Sequence, residues 1–221
     1  EEPPRHVIFI LATTEAHKLP DTIISRCQTF VFKKPGVEIL KKYVLQTAKK
    51  EGFVIDEPSA NLVAMLGEGS FRDTLGILQK VIGLSADKRV SREEIEAITG
   101  APKEQHVYDL LAALLAKKSD LALNVIQKLC GEGRDPRVFI KMALVTIRQA
   151  MILRYAPEQA ANIKSETGDS GFLRLEEAAR HENGDRLPAI LKEFLSVYDE
   201  MDQAYLPQLP LEIATVKICL Q

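Results

Sequence analysis

Cysteine is scarce in this 221-residue sequence, and tryptophan does not occur at all. The three cysteines, Cys27, Cys130 and Cys219, are far apart and form no C-x-x-C pair. Their spacing indicates neither a zinc site nor a disulfide framework. We therefore expect reduced thiols, a cytoplasmic location and no metal site built from these residues.

Long apolar runs and strong charge of one sign are also missing. No run approaches 18 apolar residues and no signal peptide opens the sequence, so we expect no membrane association. Residues 1–100 carry 14 basic and 14 acidic side chains, and residues 101–221 carry 15 and 17. Because neither half is a basic arm, strong nucleic-acid binding by this chain alone is not indicated.

The residue patterns of a self-contained enzyme are absent as well. No glycine-rich phosphate loop occurs, and no acidic pair follows a strand in a metal-binding arrangement. The four histidines have neither metal-ligand spacing nor a serine or cysteine partner; they are His6, His17, His106 and His181. These absences count against an independent hydrolase.

The first 35 residues differ in pattern from everything that follows. Residues 7–12 form an apolar run with β-branched and aromatic members, which predicts a strand buried on both faces. Pro20 suits the first turn of a short helix, and residues 29–32 predict a second, short strand. Residues 33–36, Lys-Lys-Pro-Gly, predict a linker.

From residue 37 onward the apolar residues recur with helical periodicity. Ser70, with Asp73 three residues on, and Ser91, with Glu94, predict two helix starts. The first four helices are predicted at residues 37–50 and 58–66, after Ser70, and from Ser91 to Gly100. Further helices are predicted at residues 105–116, 120–129, 136–155, 172–181, 187–205 and 211–220. Residues 157–170 are polar and irregular, which predicts a mobile loop.

Two threonines and an arginine are the candidate functional residues of the first stretch. Thr13 and Thr14 stand at the carboxyl end of the predicted strand, where α/β sheets present groups to ligands. Arg26 is predicted to lie on this short helix, directly after Ser25, and its guanidinium is a rigid fork of donors that matches phosphate oxygens. On spacing alone, an ordinary surface ion pair remains an alternative for Arg26.

Arg72 is the candidate in the helical part. It lies in the first turn of the helix that Ser70 caps, where a cation opposes the helix dipole by a few tenths of a kcal/mol. A local rule broken in this way can mark a functional residue. The alternative is an ion pair of Arg72 with Asp73 or Glu68.

Several segments together resemble the gamma/tau subunit family of bacterial DNA polymerase III, the AAA+ motor of the sliding-clamp loader. The segments are Glu1-Glu2-Pro3-Pro4, Phe-Ile-Leu-Ala-Thr-Thr-Glu at 9–15, Lys18-Leu19-Pro20, Ile24-Ser25-Arg26-Cys27 and Gly69-Ser70-Phe71-Arg72-Asp73-Thr74-Leu75. The resemblance implies a mainly α chain with three parts. They are the end of an α/β AAA+ core with about two strands and a short helix (1–35), a helical lid (36–100) and an all-α collar for oligomerisation (101–221).

The resemblance also implies roles for the candidate residues. Thr14, with Thr13 beside it, corresponds to sensor 1, which responds to the γ-phosphate or the attacking water. Arg26 corresponds to an arginine finger that reaches the ATP of the next subunit. Arg72 corresponds to sensor 2, which contacts ATP phosphate and links it to the orientation of the lid.

ATP and Mg²⁺ are the implied cofactors of the full-length subunit. The family's phosphate loop, Mg²⁺-binding acidic motif and four-cysteine zinc module would precede residue 1, so we expect no complete cofactor site and no catalysis by this segment alone. The implied partners are other clamp-loader subunits in a hetero-pentamer joined through the collar, the sliding clamp, and primed DNA through the assembled complex. A delta-prime-like non-hydrolysing subunit and a free-standing helical interaction module are the alternatives.

Overall fold

The structure is a computed structural model that describes residues 4, 6–85, 87–201 and 203–220. Glu1, Glu2 and Pro3 of the opening motif lie outside the described residues. The chain divides into two units, residues 1–34 and 35–221.

The first unit contains a short 3-10 helix, Ala16–Lys18, and a single helical turn, α1, at Asp21–Ile24. The strands predicted at residues 7–12 and 29–32 are wrong, because the described residues there form no strand. Their apolar side chains are exposed rather than buried, as Ile8 at 86% and Phe32 at 94% illustrate. A strand requires backbone partners, and none is available among the described residues of this unit.

The second unit begins with four helices and two very short strands. These elements are α2 (Val37–Lys50), β1 (Val54–Ile55), α3 (Glu57–Leu66), α4 (Phe71–Leu84), β2 (Arg89–Val90) and α5 (Arg92–Thr99). The strands pair in parallel, with Val54 opposite Arg89 and Ile55 opposite Val90. Ile55 and Val90 are the buried members, so the strand pair packs against the helices through one face.

The remaining helices form a larger bundle. They are α6 (Glu104–Leu115), α7 (Ser119–Gly131), α8 (Pro136–Tyr155), α9 (Ala160–Arg180), α10 (Leu187–Glu200) and α11 (Leu209–Leu220). The chain is thus mainly α-helical, as predicted. The 136–155 helix has the predicted bounds, whereas α10 ends at Glu200, before its predicted end at residue 205.

The mobile loop predicted at residues 157–170 is wrong. A 3-10 turn at Pro157–Gln159 leads directly into α9, which continues past Gly168 through a kink with φ 72° and ψ 176°. Ile163 in this stretch is buried in the bundle, and Gly171 lies directly against Tyr108. Tertiary packing therefore overrides the weak local helical pattern of this segment.

The helix starts predicted from capping residues are confirmed. At Ser91 the full capping box is present, since the Ser91 side chain accepts from the Glu94 backbone and the Glu94 carboxylate accepts from the Ser91 backbone. At Ser70 the hydroxyl oxygen accepts from the Asp73 backbone N–H at 3.2 Å. Gly100, in the left-handed region, follows the last residue of α5.

The second unit has two buried apolar clusters. The smaller one lies among α2–α5 and includes Val44, Leu62, Leu78, Val81 and Ile95. The larger one lies among α6–α11 and includes Leu114, Phe139, Ile140, Phe194 and Leu211. Met65 and Val138 pack against both clusters, so residues 35–100 and 101–221 are in direct contact. The assignment of the three parts as core, lid and collar stays a prediction.

Within the described part of the chain, no helix has the length and apolar character needed to cross a membrane.

Candidate functional site

Thr13 and Thr14 lie at the surface of the first unit, just before its 3-10 helix. The Thr13 hydroxyl oxygen accepts a hydrogen bond from the Glu15 backbone N–H at 3.0 Å. The Glu15 carboxylate in turn pairs with Lys18 at 2.7 Å. A local turn therefore holds Thr13, and the exposed Thr14 follows it directly.

Arg26 lies two residues after α1 rather than within it. Its backbone N–H donates to the Ile23 carbonyl at 3.1 Å, and the Cys27 N–H donates to the Ile24 carbonyl at the same distance. These bonds continue the helical turn, so Arg26 has a defined place on the surface of the first unit. Its side chain is exposed.

Arg72 is the second residue of α4, and its side chain is exposed. The Arg72 guanidinium forms no hydrogen bond or ion pair with the described residues, so the alternative pairing with Asp73 or Glu68 is not made. Glu68 pairs instead with Lys141. An unpaired guanidinium beside the backbone N–H groups of a helix start is suited to an anion.

The turn before α4 has little freedom, which determines where Arg72 is presented. A Cβ added to Gly67 would lie 1.9 Å from the Thr74 Oγ1, so no larger residue fits there without rearrangement. Glu68 and Gly69 follow with φ of 50° and 81°. The Ser70 N–H donates to the Gly67 carbonyl at 2.8 Å, and the buried Thr74 hydroxyl donates to the Ser70 carbonyl at 2.7 Å.

Lys141 on α8 is a residue that sequence reasoning missed. Its ammonium donates a hydrogen bond to the Glu68 Oε1 and lies 5.6 Å from the centroid of the Tyr198 ring on α10. Burial lowers the pKa of Lys141, but the hydrogen bond and the charge of Glu68 outweigh it and leave the pKa raised. Because 73 positions separate Glu68 from Lys141, no local sequence pattern indicated the pair.

A second polar network joins α5 to α6. The Arg92 Nε donates to the Glu96 Oε1 at 3.1 Å and lies 3.6 Å from the Glu104 Oε2. Burial raises the pKa of Glu96, although Arg92 opposes this shift. The Tyr108 hydroxyl donates to Glu104 at 3.1 Å, and burial followed by the Glu104 charge raises the pKa of Tyr108. Arg134 adds a bond to the Glu96 carbonyl at 2.9 Å, which connects α5 to the larger bundle.

The predicted site residues are divided between the two units. Thr13, Thr14 and Arg26 belong to the first unit, and Arg72 belongs to the second. The described residues include no cluster of three or more His, Cys, Asp or Glu side chains that could hold a metal ion. The guanidinium and hydroxyl donors of the candidate residues are groups that can contact phosphate.

Comparison with known families gives two matches. Residues 90–221 match the family described as DNA polymerase III subunits gamma and tau domain III. Residues 1–36 match the family described as DNA polymerase III, delta subunit.

Individual relatives match over most of the chain. DNA polymerase III subunit tau of Bacillus subtilis (strain 168) is 33% identical over 224 residues, covering 99% of this chain and 38% of the relative. DNA polymerase III subunit gamma/tau of Mycobacterium tuberculosis (strain ATCC 25618 / H37Rv) is 29% identical over 220 residues, covering 100% of this chain and 38% of the relative. The chain therefore spans 38% of the length of these curated relatives.

A solved structure is also similar. The Bacillus subtilis DNA clamp loader delta protein (YqeN) aligns with 86% of this chain and 58% of its own, at a TM-score of 0.46 and 18% sequence identity. The resemblance seen in the sequence motifs is confirmed by the family match, which covers more than half of the chain. The chain belongs to the family of DNA polymerase III gamma and tau subunits.

Proposed function

We propose that these residues form part of a clamp-loader motor subunit that couples ATP binding and hydrolysis to loading of the sliding clamp on primed DNA. The observation that carries the proposal is Arg72, an exposed guanidinium at the start of α4 with no ion pair in the described part of the chain. Membership of the gamma and tau family supports a nucleotide phosphate as the anion it binds.

Arg72 then acts as sensor 2. It contacts a phosphate of the ATP held by its own subunit, and the constrained turn from Gly67 to Ser70 converts that contact into an orientation of α4 and of the helices packed on it. Such coupling requires contacts that differ between nucleotide states. The rigid guanidinium fork distinguishes the presence from the absence of a phosphate by its paired hydrogen bonds.

Arg26 acts on the neighbouring subunit's ATP as an arginine finger, and Thr14, assisted by Thr13, acts as sensor 1. The exposed position of Arg26 after α1 suits a contact made in trans. The full subunit would supply the phosphate loop and the Mg²⁺ ligands. ATP bound with Mg²⁺ supplies the transferable phosphoryl group.

The bundle of α6–α11 acts as the oligomerisation collar. Large apolar side chains are exposed on and beside its last two helices, and they suit contacts with other clamp-loader subunits. They are Leu195, Tyr205, Leu209, Ile213 and Leu220.

We place the assembled hetero-pentamer in the cytoplasm, where it contacts the sliding clamp and primed DNA. The net charge of −2 suits a chain whose DNA contact comes mostly through the assembly.

The test uses the complete subunit assembled into its loader. Arg26→Ala should keep ATP binding while lowering DNA-stimulated hydrolysis, since arginine fingers contribute roughly 10³–10⁵ in rate. Arg72→Ala should weaken the response of the assembly to ATP. Arg89→Ala removes another exposed arginine of the second unit. It should change neither the DNA-stimulated hydrolysis nor the response of the assembly to ATP. Unchanged turnover of an assembled Arg26→Ala loader would exclude the finger role.

A second candidate is a non-hydrolysing, delta-like subunit, which the match of residues 1–36 favours. The two candidates differ in whether the complete subunit hydrolyses ATP when it is assembled without any other ATPase subunit. Mg²⁺-dependent hydrolysis supports the motor subunit, and its absence supports the delta-like one. The 221 residues by themselves should show no ATPase activity in either case.

A further inference from the structure

Lys141 connects the turn that precedes the Arg72 helix to the middle of the larger bundle. Its side chain is 23% exposed, although it carries a charge. On one side it binds the Glu68 carboxylate, and on the other it lies over the Tyr198 ring of α10. One ammonium group thus contacts the α3–α4 turn and α10 while it is anchored on α8.

The residue that Lys141 binds has an unusual backbone conformation. Glu68 has φ of 50°, in the left-handed region that non-glycine residues seldom adopt. Such a conformation persists when surrounding contacts determine it, and the ion pair with Lys141 is one of those contacts. Ser70, the cap of α4, comes two residues later, and Arg72 comes two residues after that.

We propose that Lys141 is a positioning residue for Arg72. By holding Glu68 against α8 and α10, it fixes the direction in which α4 presents the Arg72 guanidinium to the nucleotide phosphate. This inference rests on the proposed phosphate contact of Arg72. It adds a physical link through which nucleotide binding at α4 is transmitted to the C-terminal bundle.

A purely structural role would have a different signature. The Glu68 side chain is 64% exposed, and an ion pair with such a partner contributes little to stability. Misplacing a contact group by about 1 Å, in contrast, can cost on the order of 10²-fold in rate. We therefore expect loss of Lys141 to change nucleotide-dependent behaviour far more than resistance to unfolding.

The first experiment uses the 221-residue chain and needs no nucleotide. Lys141→Met keeps the length of the side chain and removes its charge. Amide hydrogen exchange should become several-fold faster at Ser70, Asp73 and Thr74, whose N–H groups are bonded within the turn and the first turn of α4. Unchanged exchange at these amides would overturn the proposal.

The matched control is a lysine–glutamate pair within the larger bundle. Lys217 on α11 binds Glu193 on α10 at 2.7 Å, away from the α3–α4 turn. Lys217→Met removes a similar charge contact and should leave exchange at Ser70, Asp73 and Thr74 unchanged. An equal effect of both variants would mean that general loosening is responsible, and would also overturn the proposal.

The second experiment uses the complete subunit in the assembled loader. Lys141→Met should raise the KM for ATP about tenfold or more with a smaller change in kcat, because phosphate contact is weakened before chemistry is reached. Lys141→Arg keeps the charge and should restore part of the affinity. If Lys141 acts through Arg72, adding Lys141→Met to Arg72→Ala should produce no further change.

The outcomes separate this inference from the proposed function. If Arg72→Ala changes the KM for ATP and Lys141→Met does not, Arg72 contacts phosphate but Lys141 does not position it. If the two changes are additive, Lys141 acts by another route and the inference is wrong. If Arg72→Ala has no effect, the proposed phosphate contact fails and the inference fails with it, whereas the exchange data still report whether Lys141 holds the turn.

Discussion

The backbone of Gly67 lies directly against the side chain of Thr74. A Cβ built on Gly67 would be 1.9 Å from the Thr74 Oγ1 and 2.9 Å from its Cα. Thr74 is fully buried and its hydroxyl is bonded to the Ser70 carbonyl, so it cannot turn away at little cost. The close approach therefore requires glycine at position 67 for its lack of a side chain, since its φ of −75° is available to any residue.

Gly67→Ala should accordingly lower the free energy of unfolding by about 1–3 kcal/mol, the usual cost of overpacking a buried position. Gly76→Ala is the matched control, because Gly76 lies within α4 and a Cβ there would meet nothing within 4 Å. That variant should be stabilised by roughly 0.5–1 kcal/mol through its better helix propensity. Urea unfolding of both variants checks the pair, and a neutral Gly67→Ala would contradict the packing described.

Most helices of the second unit could be predicted because their signals are local. The helix at Pro136–Tyr155 begins with proline in its first turn and carries apolar residues throughout, and its predicted bounds are correct. The capping box at Ser91 likewise involves two residues that are three positions apart. Local signals of this kind need no knowledge of the rest of the fold.

The two strand predictions and the loop prediction failed because they depended on distant partners. The apolar run at residues 7–12 resembles a buried strand, but a strand forms only with a neighbour, and the described part of the first unit contains none. Residues 160–170 look too polar for a helix, yet the burial of Ile163 against the bundle makes them helical. Composition alone could not reveal either environment.

The residues of the candidate site likewise divide into those that local motifs indicate and those that depend on distant packing. Thr14, Arg26 and Arg72 are identified from short motifs and lie at exposed positions, whereas their roles toward nucleotide stay predictions. Lys141 could not be predicted, because its contacts with Glu68 and Tyr198 depend on how α8, α10 and the α3–α4 turn pack.

Ser91→Ala should remove half of a capping box and destabilise the chain by about 1 kcal/mol. The Ser91 hydroxyl oxygen accepts from the Glu94 N–H at 3.2 Å, and alanine leaves that N–H without a protein partner. Ser196→Ala changes an exposed serine within α10 and should have a much smaller effect, because no helix end depends on it. The difference between the two midpoints of urea unfolding measures the contribution of the cap.

His106 should make the stability of the chain depend on pH in the mildly acidic range. Its side chain is buried, its Nδ1 has no hydrogen-bond partner among the described residues, and its Nε2 lies 4.0 Å from the Glu132 Oε1. Burial lowers the pKa of His106 below its usual 6.5. Glu132 and Asp109 oppose this shift, and Lys128 and Lys103 add to it.

The lowered pKa of His106 determines whether stability rises or falls with pH. The unfolded chain takes up a proton near pH 6.5, before the folded chain does, so the His106 contribution is present above that pH and is lost as the pH falls through the folded pKa. His106→Gln should flatten the decline in unfolding free energy between pH 7 and pH 5. His17→Gln, at an exposed position, serves as the control. An identical pH profile for His106→Gln and the unaltered chain would contradict this role.

Arg186 binds the carboxyl ends of two helices at once. It lies at the end of the 3-10 turn Gly184–Arg186. Its Nη1 donates a hydrogen bond to the Leu114 carbonyl of α6 at 3.2 Å, and its Nη2 donates one to the Ile218 carbonyl of α11. Carbonyls in the last turn of a helix have no partner within the helix and carry partial negative charge, which a cation stabilises.

Arg186→Met should therefore lower the free energy of unfolding by roughly 1.5–3 kcal/mol, the usual contribution of hydrogen bonds to a charged group. Arg186→Lys keeps the charge but lacks the two-pronged fork, so it should fall between Arg186→Met and the unaltered chain. Arg180→Met removes a 79% exposed guanidinium paired with Glu176 and should change stability by no more than about 0.5 kcal/mol. If Arg186→Lys unfolds at the same urea concentration as the unaltered chain, charge alone stabilises the two helix ends and the paired geometry of the guanidinium does not.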